Sequence, residues 1–166
     1  MHYQHCPTCG RRLTEQAAHD DGLVPYCESC RRYWFDSFST CVISLVANEY
    51  NEIAMLRQSY LSPSHWNYVS GYITPGETAE AAARREIREE LGLRVHELRF
   101  AGSYWFAPRE LLMLGFIARA RKAPFVLSAE VDAAEWVPFP DAPRRMHPES
   151  AGSCQQPIYR RFLELL

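Results

Sequence analysis

GYITPGETAEAAARREIREELGL, residues 71–93, holds a turn, a capped helix and three clustered carboxylates. Pro75-Gly76 signals the turn, and Thr78 is placed to cap a helix running to about Leu91. Gly92 then stands where a glycine closes a helix in the left-handed conformation. At about 100° per residue, Glu86, Glu89 and Glu90 fall within roughly a 100° arc, and Ala83, Ile87 and Leu91 form the neighbouring apolar stripe. Glu80 with Arg84, and Arg85 with Glu89, show the alternation of sign that an exposed helix uses at i,i+4. The like-charged pair Glu86/Glu90 breaks that rule. Hard oxygen ligands gathered this way suit Mg²⁺ or Mn²⁺, which can clamp a pyrophosphate and activate water. The glycine-containing loop ahead of the helix lets backbone groups come close to such a metal and to phosphates.

Seven of these residues, Gly71, Glu77, Arg85, Glu86, Glu89, Glu90 and Gly92, fit G-x5-E-x7-R-E-U-x-E-E-x-G-U. U is aliphatic, and Ile87 and Leu93 fill its two places. At average usage each fixed residue has a chance of roughly 0.06, so the set arises by accident on the order of once in a million such chains. A plain amphipathic helix is a poor account of it. The stretch resembles the Nudix box, the signature of hydrolases that cleave nucleoside diphosphates linked to another moiety. The resemblance implies that Glu86, Glu89 and Glu90 bind catalytic metal, that Gly71 adds its carbonyl, that Arg85 orients a glutamate, and that Glu77 supports the loop. The family often uses one more glutamate outside the box as ligand or base. Glu130, within LSAEVDAAEW, is the candidate, with an exposed loop glutamate of no special role as its alternative.

Cys6-Pro-Thr-Cys9 and Cys27-Glu-Ser-Cys30 are two Cys-x2-Cys pairs separated by seventeen residues. That spacing suits a four-thiolate Zn²⁺ site, which folds a segment too short to have a core of its own. A disulfide pair is the alternative, but it needs an oxidising compartment, and no signal-peptide pattern ahead of Cys6 supports one. His2, His5 and His19 could each replace a thiolate, yet four cysteines already fill the shell. The site is expected to be structural. A zinc ribbon directly ahead of a Nudix domain resembles the NADH pyrophosphatase subgroup. Two departures matter. The subgroup usually carries an additional N-terminal domain, and its distal SQPWPFPxS motif is degenerate here, in Gly102-Ser-Tyr-Trp-Phe-Ala-Pro. Tyr72, Trp105 and Phe106 are the substrate-stacking candidates, since base stacking contributes ~1–3 kcal/mol per base; core aromatics are the alternative for each.

A chain of 166 residues with 47% hydrophobic content supports one core-bearing domain and a small module. Residues 1–36 are expected to form the ribbon and 37–166 the Nudix domain. A net charge of −2 gives no general attraction to nucleic acid or to an acidic membrane. Arg11-Arg12 and Arg31-Arg32 are offset by Glu15, Asp20, Asp21 and Glu28. No apolar run reaches the ~20 residues that span a bilayer. Cys41 and Cys154, outside the tetrad, read as a buried thiol and a loop thiol. Together these features point to a cytoplasmic setting.

Beyond the ribbon, strands are expected at Phe38–Ala47 and Glu52–Gln58 as a hairpin, at Trp66–Ser70, at Leu98–Phe106 and Leu111–Arg121 as a pair, and at Glu135–Phe139. Residues 141–156 read as a loop. Pro157 suits the first position of a closing helix whose Ile158, Phe162 and Leu165 share a face. Mixed strands with a helix on each side give an α/β/α sandwich, as the resemblance implies. The expected activity is metal-dependent hydrolysis of NDP-X nucleotides of the NAD(H), FAD or ADP-ribose type. Triphosphate or sugar-nucleotide hydrolysis and an idle ligand-sensing domain are the alternatives. The resemblance also implies a homodimer, and leaves NAD-capped RNA open as a substrate.

Overall fold

Thr14–Ala17 (β1), Leu23–Cys27 (β2) and Arg32–Tyr33 (β3) form a small antiparallel sheet in the order β1-β2-β3. A computed structural model describes residues 3–150 and 152–166, so His2 lies outside the described residues. The sheet belongs to a first unit, Met1–Phe38, set apart from a second, Ser39–Leu166. In the first, Cys6 and Cys27 are 2% and 1% exposed, the most deeply buried of its described residues, among which only Ala18 and Val24 are buried aliphatics.

The second unit is built on Ser39–Ala47 (β4), which is buried from Cys41 to Ala47. Glu52–Arg57 (β5), Val69–Tyr72 (β6), helix Ala79–Leu91 (α1), Val95–Phe106 (β7), Leu111–Ala120 (β8), Ala133–Pro138 (β9) and helix Gln155–Leu163 (α2) follow. The six strands make one mixed sheet: five follow the order β7-β8-β4-β5-β9, and β6 lies off this path beside β4. β8 runs parallel to β4 along its whole length. The other edge of β4 is shared: β6 pairs with Cys41–Ser44, and β5 with Val46 and Ala47.

Burial on both sides of β4 follows from the period-2 alternation of a strand. Cys41, Ile43, Leu45 and Ala47 join Ile158, Tyr159 and Phe162 of α2 in one core cluster. Val42 packs with Ala82 and Ala83 of α1, and Val46 with Ile87 and Leu91. Each large side chain so buried contributes roughly 1.5–3 kcal/mol. The expected α/β/α layering is thus present. Among the described residues no helix is long and apolar enough to cross a membrane.

Several boundaries differ from the sequence reading. β6 begins at Val69 and runs through Gly71 and Tyr72, so these two are strand residues, while Asn67 makes only an isolated bridge to Leu56. α2 starts at Gln155, which puts Pro157 third in the helix rather than first. Its missing N–H is still harmless there, because the first four amides have no partner within a helix. Leu165 lies beyond the helix and is 36% exposed, so it does not share the buried face of Ile158 and Phe162. A 3-10 segment, Phe139–Arg144, occupies the start of the expected loop.

Candidate active site

α1 begins as its sequence requires: the Thr78 hydroxyl accepts the Ala81 N–H at 3.2 Å. It ends at Gly92, whose φ of 71° is left-handed and whose N–H donates to the Arg88 carbonyl. A Cβ on Gly92 would also stand 2.7 Å from Cβ of Val126. The Val126 N–H donates to the Leu91 carbonyl at 3.0 Å, and the Ser128 N–H to that of Glu90 at 3.4 Å. The irregular segment 121–132 is thereby tied to the C-terminal end of α1, satisfying carbonyls the helix leaves open.

Arg85 is the hub of the polar face. Its Nε and Nη2 meet Glu77 Oε1 and Oε2 at 2.8 and 2.9 Å, a bidentate pair. Nη2 also donates to the Tyr72 carbonyl at 3.0 Å, and Nη1 to Glu86 Oε1 and Glu89 Oε2 at 2.7 and 3.0 Å. The Arg85 hydrogen bonds, with added ones from Thr74, hold the Glu77 carboxyl down at about 2. The expected Arg85–Glu89 pairing is present. Arg84 turns instead to the Val95 carbonyl at 2.8 Å.

The remaining carboxylates sit in a drier setting. A Cβ on Gly71 would lie 2.0 Å from Glu86 Cδ, so only glycine lets Glu86 fold down against β6. Burial raises the Glu86 carboxyl, with Arg85 opposing. Glu90 is 5% exposed; Gln58 Nε2 donates to its Oε1 at 3.0 Å, and its Oε2 has no partner. Burial, and then the charge of Glu86, push the Glu90 carboxyl up to about 8, against the Gln58 hydrogen bond. A buried carboxylate oxygen without a donor, beside two more carboxylates and a backbone that can approach closely, is a donor set that fits a hard divalent cation.

Glu130 is exposed on segment 121–132, its N–H donating to the Ser128 hydroxyl at 3.3 Å. It stands close enough that its charge helps raise both Glu90 and Tyr60. The Asp132 carboxylate accepts the Ser59 N–H at 2.6 Å, which fastens this segment to the end of β5.

The three aromatic candidates are not brought together. Tyr104, Met113, Cys41 and Tyr72 lie in one row across β7, β8, β4 and β6, so Tyr72 shares the α2 face of the sheet. Phe106 is on that same face and packs against the core beneath α2. Trp105, one residue away, is on the α1 face and 46% exposed. Tyr72 is 56% exposed, and its carbonyl is held by Arg85.

Gln58, Tyr60 and Arg109 were missed in the sequence. Gln58 follows an apolar strand run and is tied to Glu90 across 32 positions, which no local spacing reveals. The charge of Arg109, on the 3-10 turn Ala107–Arg109, reaches Tyr60 and Cys41.

In the first unit, Cys6, Cys9, Cys27 and Cys30 present sulfurs that all lie within 4.8 Å of one another. All four are free thiols, with Sγ–Sγ distances of 3.8 Å for Cys6–Cys30 and 3.6 Å for Cys9–Cys27. A disulfide needs ~2.05 Å. A tetrahedron of thiolates ~2.3 Å from a central Zn²⁺ has edges of about 3.8 Å, so the geometry fits that ion. Among the described residues this is the one cluster of cysteines, histidines and carboxylates gathered so tightly. The helix carboxylates are more spread, since Arg85 draws Glu86 and Glu89 while Gln58 holds Glu90.

Comparison with known proteins adds the following. The pattern of the NUDIX domain matches residues 38–162. The NAD-capped RNA hydrolase NudC of Chromobacterium violaceum is 34% identical over 110 residues, which cover 66% of this chain and 41% of that protein. The chloroplastic Nudix hydrolase 19 of Arabidopsis thaliana is 35% identical over 142 residues, covering 80% and 32%. The NUDIX hydrolase from Nitrosomonas europaea shares the fold with a TM-score of 0.72 at 18% identity, covering 98% of this chain and 92% of that one. The chain spans between about a third and just over half of the length of the first curated relatives it matches.

Proposed function

The chain belongs to the NUDIX family, and from that premise we propose that it is a divalent-metal-dependent pyrophosphohydrolase of NDP-X nucleotides. The preferred substrates are adenine dinucleotides and ADP-ribose-type compounds, cleaved to release a nucleoside monophosphate. The observation that carries this reading is the buried Glu90 carboxylate, whose Oε2 lacks a donor, placed beside Glu86 where Gly71 lets the backbone come close. Glu86, Glu89, Glu90 and the Gly71 carbonyl would hold Mg²⁺ or Mn²⁺, which supplies charge neutralisation of the diphosphate and an activated water.

Each of the chain's own residues has a part to play. Arg85 keeps Glu86 and Glu89 in place and couples them to Glu77 and the Tyr72 carbonyl. Glu130, anchored near Glu90 by the Asp132–Ser59 bond, takes the proton from the attacking water. Tyr72, exposed at the end of β6, stacks on the adenine, without help from Phe106, which packs into the core beneath α2, or from Trp105, which is on the opposite face of the sheet. Similarity to proteins named NAD-capped RNA hydrolase supports a NAD-type diphosphate as the recognised group, whether free or at an RNA end. The cysteine tetrad holds one structural Zn²⁺, and its reduced thiols suit a cytoplasmic setting. A homodimer follows from the subgroup resemblance and is testable by light scattering.

The test is incubation with Mg²⁺ and a panel of NADH, NAD⁺, FAD, ADP-ribose, a nucleoside triphosphate, a sugar nucleotide and NAD-capped RNA. Mononucleotide release from the dinucleotides is the expected result. Tight ADP-ribose binding without turnover of any compound would instead favour an idle sensor.

A further inference from the structure

Gln58 is 1% exposed, just beyond an apolar strand in which Ile53, Ala54, Met55 and Leu56 are all 0% exposed. An aliphatic side chain would fill this place without the cost of burying an amide. Both hydrogens of Nε2 are engaged: one with Glu90 Oε1 at 3.0 Å and one with Tyr60 Oη at 3.2 Å. With Glu90 ionised, as a metal ligand must be, turning the amide over would set its carbonyl oxygen against the carboxylate, so the donor orientation is the one that suits that state. Arg85 binds Glu77, Glu86 and Glu89 but not Glu90. Among the described residues Gln58 is therefore the side chain that orients Glu90, and Glu90 Oε2 and Gln58 Oε1 are left buried without partners.

We propose that Gln58 is a positioning residue for the catalytic metal: by gripping Oε1 it fixes the Glu90 carboxylate with Oε2 presented to a divalent cation. This rests on the reading of Glu90 as a metal ligand. The same corner of the chain carries a second tether. The Ser59 N–H donates to Asp132, and the Asp132 N–H donates to the Arg57 carbonyl at 2.9 Å. The end of β5 thus joins the Glu90 carboxylate to the segment bearing Glu130. Partners that orient metal ligands in this way usually matter 10–100-fold for metal affinity.

Mn²⁺ binding to the nucleotide-free protein, read from the paramagnetic resonance signal of the free ion, tests this without turnover. Wild type, Gln58→Met, Gln58→Asn and Glu90→Gln are compared, with circular dichroism as the folding control. Gln58→Met keeps the length and loses the donor; Gln58→Asn keeps an amide but withdraws it by one carbon–carbon bond. Both are expected to bind Mn²⁺ roughly 10–100-fold more weakly than wild type. Wild-type affinity in Gln58→Met overturns the proposal, and if that variant does not fold, the same result in Gln58→Asn does so. Loss of Mn²⁺ binding in Glu90→Gln but not in the Gln58 variants sinks the proposal alone. Wild-type binding in Glu90→Gln removes the metal-ligand reading of Glu90, and the proposal falls with it.

Discussion

Glu90→Gln should change how stability depends on pH in the metal-free protein. Burial and the neighbouring Glu86 raise the Glu90 carboxyl from 4.5 to about 8 in the folded chain. The folded state therefore holds this proton more tightly than the unfolded chain. Stability from this group is present below the unfolded value, declines as pH rises, and is lost once pH passes about 8. At 1.36 kcal/mol per pKa unit the full effect is ~5 kcal/mol, and ~3–4 kcal/mol of it falls between pH 5 and pH 8. For a domain of this size that corresponds to roughly 10 °C in Tm. Thermal unfolding followed by circular dichroism in EDTA, at pH 5, 6, 7 and 8, reads it directly. Wild type should lose stability relative to Glu90→Gln as pH rises, because the amide never ionises. Added Mg²⁺ should recover much of the wild-type loss at pH 8 and little in the variant. Parallel pH profiles for the two proteins would refute the account of Glu90 as a buried, charge-crowded carboxylate.

The same Glu90→Gln variant should lose at least ~10²-fold in kcat, equal to ~2.7 kcal/mol of barrier, and wild-type turnover would remove Glu90 from the chemistry. Cys27→Ser should lower zinc by elemental analysis from one ion per chain and open the first unit to proteolysis, whereas unaltered stoichiometry would overturn the tetrad. Tyr72→Ala should raise KM for adenine dinucleotides with kcat nearly intact; an equal loss with non-adenine substrates would take Tyr72 out of base recognition. Gly92→Ala should cost about 2 kcal/mol or more in chemical denaturation, from the left-handed φ and the 2.7 Å approach of Val126, and a cost below about 0.5 kcal/mol would contradict that crowding.

What could be read in advance was local. The Thr78 cap, the Gly92 stop and the apolar stripe on α1 depend on neighbours within a turn or two, and each stands where the spacing placed it. The cysteine tetrad was legible for a related reason, since paired ligands at short spacing already make half of a tetrahedral shell. The core strands followed from their apolar runs, though β6 was displaced toward the box because pairing with β4, rather than propensity, sets its limits. Gln58 could not be found, because its role exists only once β5 and α1 are neighbours. Nor could the faces of Tyr72 and Trp105 be told apart. That requires the strand register, and β7 carries an irregularity between Phe100 and Gly102 that resets the alternation ahead of Trp105.

The segment that carries Glu130 meets the end of α1 through main-chain amides at Val126 and Ser128. Amides are common to every residue but proline, so this attachment is indifferent to most side chains in the stretch. Lys122, Ala123, Pro124, Leu127 and Ala129 are exposed, and the packing duties fall on Phe125 against Trp136 and on buried Val131. Side chains along this segment can therefore be exchanged while its main chain stays moored. Substitution in this stretch is structurally cheap, whereas in α1 the Arg85 and Glu90 side chains each answer to partners outside the helix.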